Sequence, residues 1–407
     1  MAPPTPEKIP TTRRQACSAC GHAGLEEVID LPGLPLTGIF VLPHERAGYP
    51  SFDQGLMRCT ECGHGQLRET VDPRYLYQET YTHRSSLSPI SARGNDFFLS
   101  FLEEIAAARR FECIAEIGCN DLYLLKKLAG RGEHRVGFDP IWKDRAADSA
   151  GGIRVFGKYI EEIDPARDLP APADLVLSVH TLEHVDHPLN SLRPIFEHAR
   201  PGALFVLEVP SLDTLLSIGR FDQIFHQHLN YFSLASMRRM IRQLGGEFIS
   251  HRFNYGYWLG TMLVAFRKPS PAGTGAGAGP APPPIGREEI LTRYGHYRQA
   301  IGSVATALEH LIRQGTPAVG FGAAQMVPTL AYHLQSDLGC LQAILDDNPD
   351  KAGRTYPSIA TTIRLAADYP HLEDYAVLVT ALDSARPILN RVTSLRARYL
   401  IVTHNPV

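Results

Sequence analysis

Four cysteines set the first chemical constraint. Cys17-Ser-Ala-Cys20-Gly and Cys59-Thr-Glu-Cys62-Gly form two knuckles. A Cys-x-x-Cys turn aims two thiolates at one point, and two such turns complete the tetrahedron preferred by a structural zinc ion. Four thiolates close the coordination sphere, so the metal holds structure rather than catalysing. Residues 21–58 separate the knuckles, longer than in a compact ribbon, and LPGLPLTGIF fills part of the inserted loop. His22 and His64 stand beside the knuckles, and since the cysteines suffice as ligands both are read as surface residues. A second constellation begins at Ala115-Glu116-Ile117-Gly118-Cys119-Asn120-Asp121, which closes an apolar stretch and leads into the helical run Leu122–Leu128. A glycine at the C-terminal end of a strand lets a ligand approach the backbone. Gly137-Phe138-Asp139 ends the next strand, where an acid can accept hydrogen bonds from both hydroxyls of a ribose. The spacing suits an adenosine cofactor held by Glu116, Gly118, Asn120, Asp121 and Asp139. A full G-x-G-x-x-G is absent, and the third strand runs into His180-Thr181-Leu182-Glu183-His184-Val185. These features favour S-adenosylmethionine over a nicotinamide dinucleotide and add His180, Glu183 and His184 to the cofactor-side candidates.

These residues need a scaffold, and the chain's texture supplies one. CIAEIGC, HRVGFD, DLVLSVH and ALFVLEVP alternate with amphipathic stretches, the pattern of an α/β domain with a parallel sheet. FISHRF and TMLVAFRK follow with no helix between them, an antiparallel edge hairpin that fits a seven-stranded methyltransferase sheet. PSPAGTGAGAGPAPPP is low-complexity and reads as a flexible linker. Beyond it, Ile290, Leu291, Tyr294, Ile301, Val304, Leu308 and Leu311 recur at helical spacing. A second α/β unit then runs through PAVGFGA, LQAILDD, YAVLVTA and ARYLIVT. The expected organisation is a disordered lead-in (1–12), a zinc-binding domain (13–80), a central Rossmann-like methyltransferase domain (81–268), a linker (269–285) and a C-terminal Rossmann-like domain (286–407). The C-terminal turn Val319-Gly320-Phe321-Gly322-Ala323-Ala324 has only part of a dinucleotide fingerprint.

The formal net charge of -3 leaves no basic footprint for nucleic acid or an anionic membrane. No apolar run approaches the roughly 20 residues of a membrane span, and the polar, Pro-rich start lacks a signal-peptide core. Seven cysteines without such a signal argue against a disulfide framework. A cytoplasmic enzyme with a small-molecule substrate is expected, as monomer or homodimer.

Read as a series, the motifs resemble the sugar C-methyltransferases that act on nucleotide-linked 4-keto deoxysugars in antibiotic and surface-polysaccharide pathways. The resemblance is carried by the knuckles with LPLTGIF, then EIGCND, LEHVDHP, EVPSL, FDQIFHQHLNYFS, VGFGAAQMV and LDDNPDKAGRTYP, in that order. It implies adenosylmethionine in the middle domain and a sugar nucleotide in a cleft facing the other two, the C-terminal domain helping to hold the nucleotide. It also implies a histidine base, matched by His228, that removes a proton beside the ketone so that the enolate attacks the methyl group. An imidazole of pKa near 6.5 is matched to that task. Tyr81 matches a tyrosine on the sugar side of the cleft, and Arg84 could contact a diphosphate.

Two departures stand out. The family's loop usually reads Tyr-His-Glu-His, whereas this chain has Phe225-His226-Gln227-His228. Phenylalanine cannot donate the tyrosine's hydrogen bond and glutamine cannot carry a proton. His226 or Tyr231 could fill part of the gap, and Gln227 stays a candidate for hydrogen bonding. After Asn120-Asp121 the family usually has glycine, and here Leu122 could crowd the methionine end of the cofactor. The alternative is therefore the same fold with altered chemistry: methylation of another carbon or a heteroatom, or epimerisation.

Overall fold

The computed structural model describes residues 9–46, 48–76, 89–143, 148–149, 152–256, 260–270 and 279–403. Seven strands form the central sheet: Phe111–Ile117 (β1), Gly132–Phe138 (β2), Ile153–Phe156 (β3), Leu175–Val179 (β4), Leu204–Pro210 (β5), Glu247–Asn254 (β6) and Thr261–Arg267 (β7). Their spatial order is 6-7-5-4-1-2-3, and the two-residue strand Asp148–Ser149 lies beyond β3. β1 to β5 are parallel, while β7 runs antiparallel to β5 and β6, giving the mixed methyltransferase sheet expected from the edge hairpin. β3 escaped the sequence reading because Ile-Arg-Val-Phe is too short to stand out between its loops.

The interior strands are apolar nearly throughout, as both faces of the sheet are covered. Helix Pro89–Ala106 packs Phe98, Phe101 and Leu102 onto one face; helices Pro188–His198 and Leu234–Leu244 place Leu189, Leu192, Met237 and Met240 on the other. The order in which successive strands are added reverses between the parallel neighbours β1 and β4. Their C-terminal ends therefore open a crevice, the place where such sheets bind ligands.

The N-terminal domain is an antiparallel sheet of Leu25–Pro35, Ser51–Cys59 and Gly65–Leu67. Its fourth strand, Asn230–Tyr231, comes from the central domain, so the loop carrying His226 and His228 is stitched into the zinc domain. The C-terminal unit has the 27-residue helix Arg287–Arg313, which buries Ile290, Tyr297, Ile301 and Leu308, and five parallel strands. Ile363–Leu365 is the strand its sequence pattern did not suggest. Val41 and Thr355 exchange backbone hydrogen bonds of 2.8 Å, joining the first domain to the last. The end of the linker is held as well. Ile285 is buried and its carbonyl accepts from Arg58 Nε at 2.5 Å, so the expected free tether is docked there. No helix among the described residues is long and apolar enough to cross a membrane.

Candidate active site and zinc centre

The two knuckles fold alike. Cys17 N–H donates to the His22 carbonyl and Gly21 N–H to that of Cys17; Cys59, His64 and Gly63 repeat the pattern. Gly21 and Gly63 take φ of +73° and +68°, which explains the glycine after each second cysteine. Cys17 and Cys62 Sγ are 3.7 Å apart, as are Cys20 and Cys59 Sγ. A zinc tetrahedron with bonds of about 2.3 Å needs edges of about 3.8 Å, so the four thiolates fit the ion. His22 is exposed as expected, but His64 is fully buried. Its ring contacts Ser18 Oγ at 3.1 Å, packs against Phe232, and is pushed down to about 3, first by burial and then by Arg14. It joins the first knuckle to the central domain, a role that short-range spacing does not reveal.

One cleft of about 1300 Å³ is lined by all three domains. At one end lie Glu116, Gly118, Asn120 and Asp139. Gly118 has φ +76°, and a Cβ there would stand 1.9 Å from Thr181 Oγ1, so glycine is required by both backbone and space. Asp139 fastens the turn by accepting from Asn120 N–H at 2.9 Å and Ile141 N–H at 3.0 Å. Glu116 is buried at the end of β1, which, with Asp139 nearby, holds its carboxyl well above the usual range. Glu161 and Glu162 also face the cleft, whereas its cationic lining residues among those described are Arg220, Lys351 and Arg354, the last two from the C-terminal domain. Asp121 is half-buried and does not line the cleft.

Leu122 does not line the cleft either. It is 2% exposed and belongs to the core cluster with Phe98, Phe101 and Leu102, so the expected crowding of the cofactor is not seen. Its φ of +69° is a position that glycine takes without strain. Leu122→Gly would relieve about 1 kcal/mol of backbone strain but remove a buried leucine side chain, for a net loss of about 2 kcal/mol. Thermal melting should show that loss, with adenosylmethionine affinity in calorimetry unchanged within about threefold.

At the ends of β4 and β5 the histidines gather. His180 adopts φ +50°, the kind of strained backbone that clusters at functional sites. Its Nδ1 donates to Glu183 Oε1 at 3.2 Å, which with the neighbouring acids holds the ring above its ordinary range despite burial. His184 Nδ1 donates to the Gln227 carbonyl at 2.7 Å. His228 lies between the rings of Phe225 and His184, at centroid distances of 4.1 and 5.0 Å. Burial, then His184, pushes its ring down to about 3, so it is neutral and Nδ1 has no hydrogen-bond partner among the described residues. His228 and His184 line the cleft. His226 does not: its ring is buried against the zinc domain, contacting the Leu34 carbonyl at 3.0 Å and Phe52, which corrects its place among the catalytic candidates. Gln227 accepts from Thr37 Oγ1 at 2.7 Å, so its side chain also works at the domain junction. Tyr231 is buried with its hydroxyl accepting from Phe225 N–H. Tyr81 and Arg84 lie outside the described residues.

The sequence reading missed Arg220. Fully buried, it makes a bidentate pair with Asp222 at 2.8 and 2.9 Å and reaches Asp383 of the C-terminal domain at 2.9 Å. It fixes the far wall of the cleft. In the C-terminal domain, a Cβ on Gly322 would meet that of Ala381 at 2.3 Å, so this glycine serves strand packing. Asp346 takes the Ala323 N–H at 2.7 Å.

Residues 92–251 match a family described as a methyltransferase domain, and residues 17–77 one described as a zinc binding domain. The C-methyltransferase NovU of Streptomyces niveus is 27% identical over 266 residues, covering 63% of this chain and 61% of that protein. The central region is thus similar to methyltransferase domains, and the N-terminal region to zinc binding domains. Among solved structures, the N-methyltransferase NodS of Bradyrhizobium japonicum WM9, in complex with S-adenosyl-L-homocysteine, is 14% identical and covers 45% of this chain and 89% of its own, with a TM-score of 0.34. The magnesium protoporphyrin IX methyltransferase of Synechocystis PCC 6803 with bound S-adenosylmethionine is 10% identical and covers 48% and 88%, with a TM-score of 0.33. S-adenosylmethionine is the cofactor that the sequence motifs imply for the central domain. The site fits it: the glycine turn admits a close ligand, and the acidic end of the cleft complements a cation bearing a sulfonium and an ammonium.

Proposed function

We propose that this chain is a C-methyltransferase acting on a carbon beside the ketone of a nucleotide-linked deoxysugar. S-adenosylmethionine, when bound, supplies an electrophilic methyl group; the chain must make the acceptor carbon nucleophilic. Glu116, Gly118, Asn120 and Asp139 hold the cofactor at the end of β1 and β2. His228 accepts the proton at Nδ1, with the ring fixed between Phe225 and His184. The single observation behind this reading is that imidazole, which lines the same cleft as the Gly118 turn and whose Nδ1 has no hydrogen-bond partner among the described residues. Lys351 and Arg354 supply positive charge for a diphosphate and Phe40 an aromatic face, at the end of the cleft formed with the C-terminal domain. Three converging domains exclude water from the reacting carbon. Cytoplasmic residence suits a soluble sugar nucleotide.

Incubation with methyl-labelled adenosylmethionine and a panel of 4-keto sugar nucleotides should put label on a new C–CH3 group. No transfer to any member would count against the substrate class; label on oxygen or nitrogen would favour the altered chemistry that Phe225 and Gln227 suggest.

A further inference from the structure

Glu183, His184 and His228 offer a second cluster of ligand atoms, distinct from the cysteines. One donor atom from each lies within 4.8 Å of the other two, and all three residues line the cleft. The surroundings orient these groups as supporting residues orient metal ligands. His184 donates its Nδ1 proton to the Gln227 carbonyl, and its Nε2 lies 3.9 Å from Glu183 Oε1. Glu183 is fully buried; His180 holds Oε1, while Oε2 has no hydrogen-bond partner among the described residues. His228 Nδ1 is likewise without one. The separations, 3.9 Å between His184 Nε2 and Glu183 Oε1 and at most 4.8 Å within the group, exceed the roughly 3.3 Å between ligand atoms around a bound ion, a gap that side-chain rotation can close.

We propose that Glu183, His184 and His228 form a second divalent-metal site, and that a cation there blocks methyl transfer. Two imidazoles and a carboxylate select a borderline ion such as zinc or cobalt over magnesium or calcium. Three protein ligands leave an open position toward the cleft. The metal occupies the lone pair that His228 needs to take a proton. This consequence rests on the function proposed above; the binding does not.

The full-length chain, with its cysteine site filled by zinc, should be dialysed against rising free zinc and its metal content measured. A second equivalent is expected. Glu183→Gln and His228→Ala should each weaken it by at least about tenfold, or 1.4 kcal/mol, while keeping the first equivalent, whose retention reports a folded knuckle pair. Should one variant lose the first equivalent, the other decides. Cobalt(II) added to the zinc-loaded chain should give ligand-field bands without thiolate charge transfer. A chain that saturates at one equivalent, or a second equivalent that both variants retain, overturns the site. Turnover should fall in step with the second equivalent and return with a chelator too weak to strip the cysteines. Unchanged turnover at full occupancy overturns the blocking role. A chain that binds the second equivalent yet methylates nothing in its absence counts against the proposed function and leaves the site standing.

Discussion

Replacing His228 by alanine should lower turnover about a thousandfold and leave adenosylmethionine affinity within about twofold, because the loss is that of a positioned proton acceptor. The two effects separate because the residues sit on different elements. Glu116, Gly118 and Asp139 end β1 and β2, whereas His228 belongs to a loop after β5. That loop is rigidly held: Leu229 N–H donates to the Glu183 carbonyl at 2.7 Å and His228 N–H to that of Phe225 at 3.0 Å. An imidazole so confined keeps one orientation, which proton transfer from carbon requires. The control is His226→Ala. His226 contacts the Leu34 carbonyl and, at 3.5 Å, Gln54 Nε2, inside the junction with the zinc domain. Its loss should cost about 1–3 kcal/mol of stability through unsatisfied buried groups, with turnover of the folded protein within a few-fold of normal. Single-turnover kinetics with thermal melting distinguishes the two. Equal collapse of turnover in both folded variants would remove His228 from its assigned role.

The difference between His226 and His228 also marks how far the sequence could be read. Periodicity and glycine placement made the central sheet legible: β1, β2, β4 and β5 fall where apolar runs end in or just before Gly118, Asp139, His180 or Pro210, and the β6–β7 hairpin where two strand-like runs follow each other with no helix between. Those are local signals. The knuckles were legible for the same reason, since a ligand pair is encoded within four residues. What spacing could not encode was which of two histidines two residues apart faces the cleft. That is decided by Asn230–Tyr231 pairing with Gly65 and Gln66, a contact across more than half the central domain's length in sequence. Buried His64, the Thr37–Gln227 bond and the Arg220–Asp383 pair were hidden likewise, because each joins distant segments. Leu122 shows the converse. The residue type suggested a steric block, but the backbone at φ +69° turns its side chain into the core under Phe98 and Phe101.

Those long-range contacts predict that losing the zinc disables the active site although the ion touches no reacting group. Cys59→Ser, or removal of the metal by a strong chelator, should lower the melting transition by more than about 10 °C, since structural zinc contributes on the order of 10 kcal/mol to the fold it organises. Damage should then spread along identifiable bonds. Arg14, just before the first knuckle, donates to the Leu229 carbonyl at 2.8 Å and to Asn230 Oδ1, and pairs with Asp186. Ser18, inside that knuckle, donates to Asn230 Oδ1 at 2.7 Å, and Gln243 of the central domain donates to the Cys20 carbonyl at 2.9 Å. Asn230 in turn grips the carbonyls of Leu182 and Val185, which flank Glu183 and His184. Collapse of the knuckles would therefore free the loop bearing His228 and the turn bearing His184 together. The zinc-free chain should lose turnover by at least about a hundredfold while still binding adenosylmethionine at the Gly118 turn, because the bonds just named end on residues 182–186, 229–230 and 243 and not on β1 or β2. Metal analysis, calorimetry and a methyl-transfer assay on one sample suffice to check this. A zinc-free chain with normal turnover and an unshifted transition would show that the cysteines do not hold the catalytic loop in place.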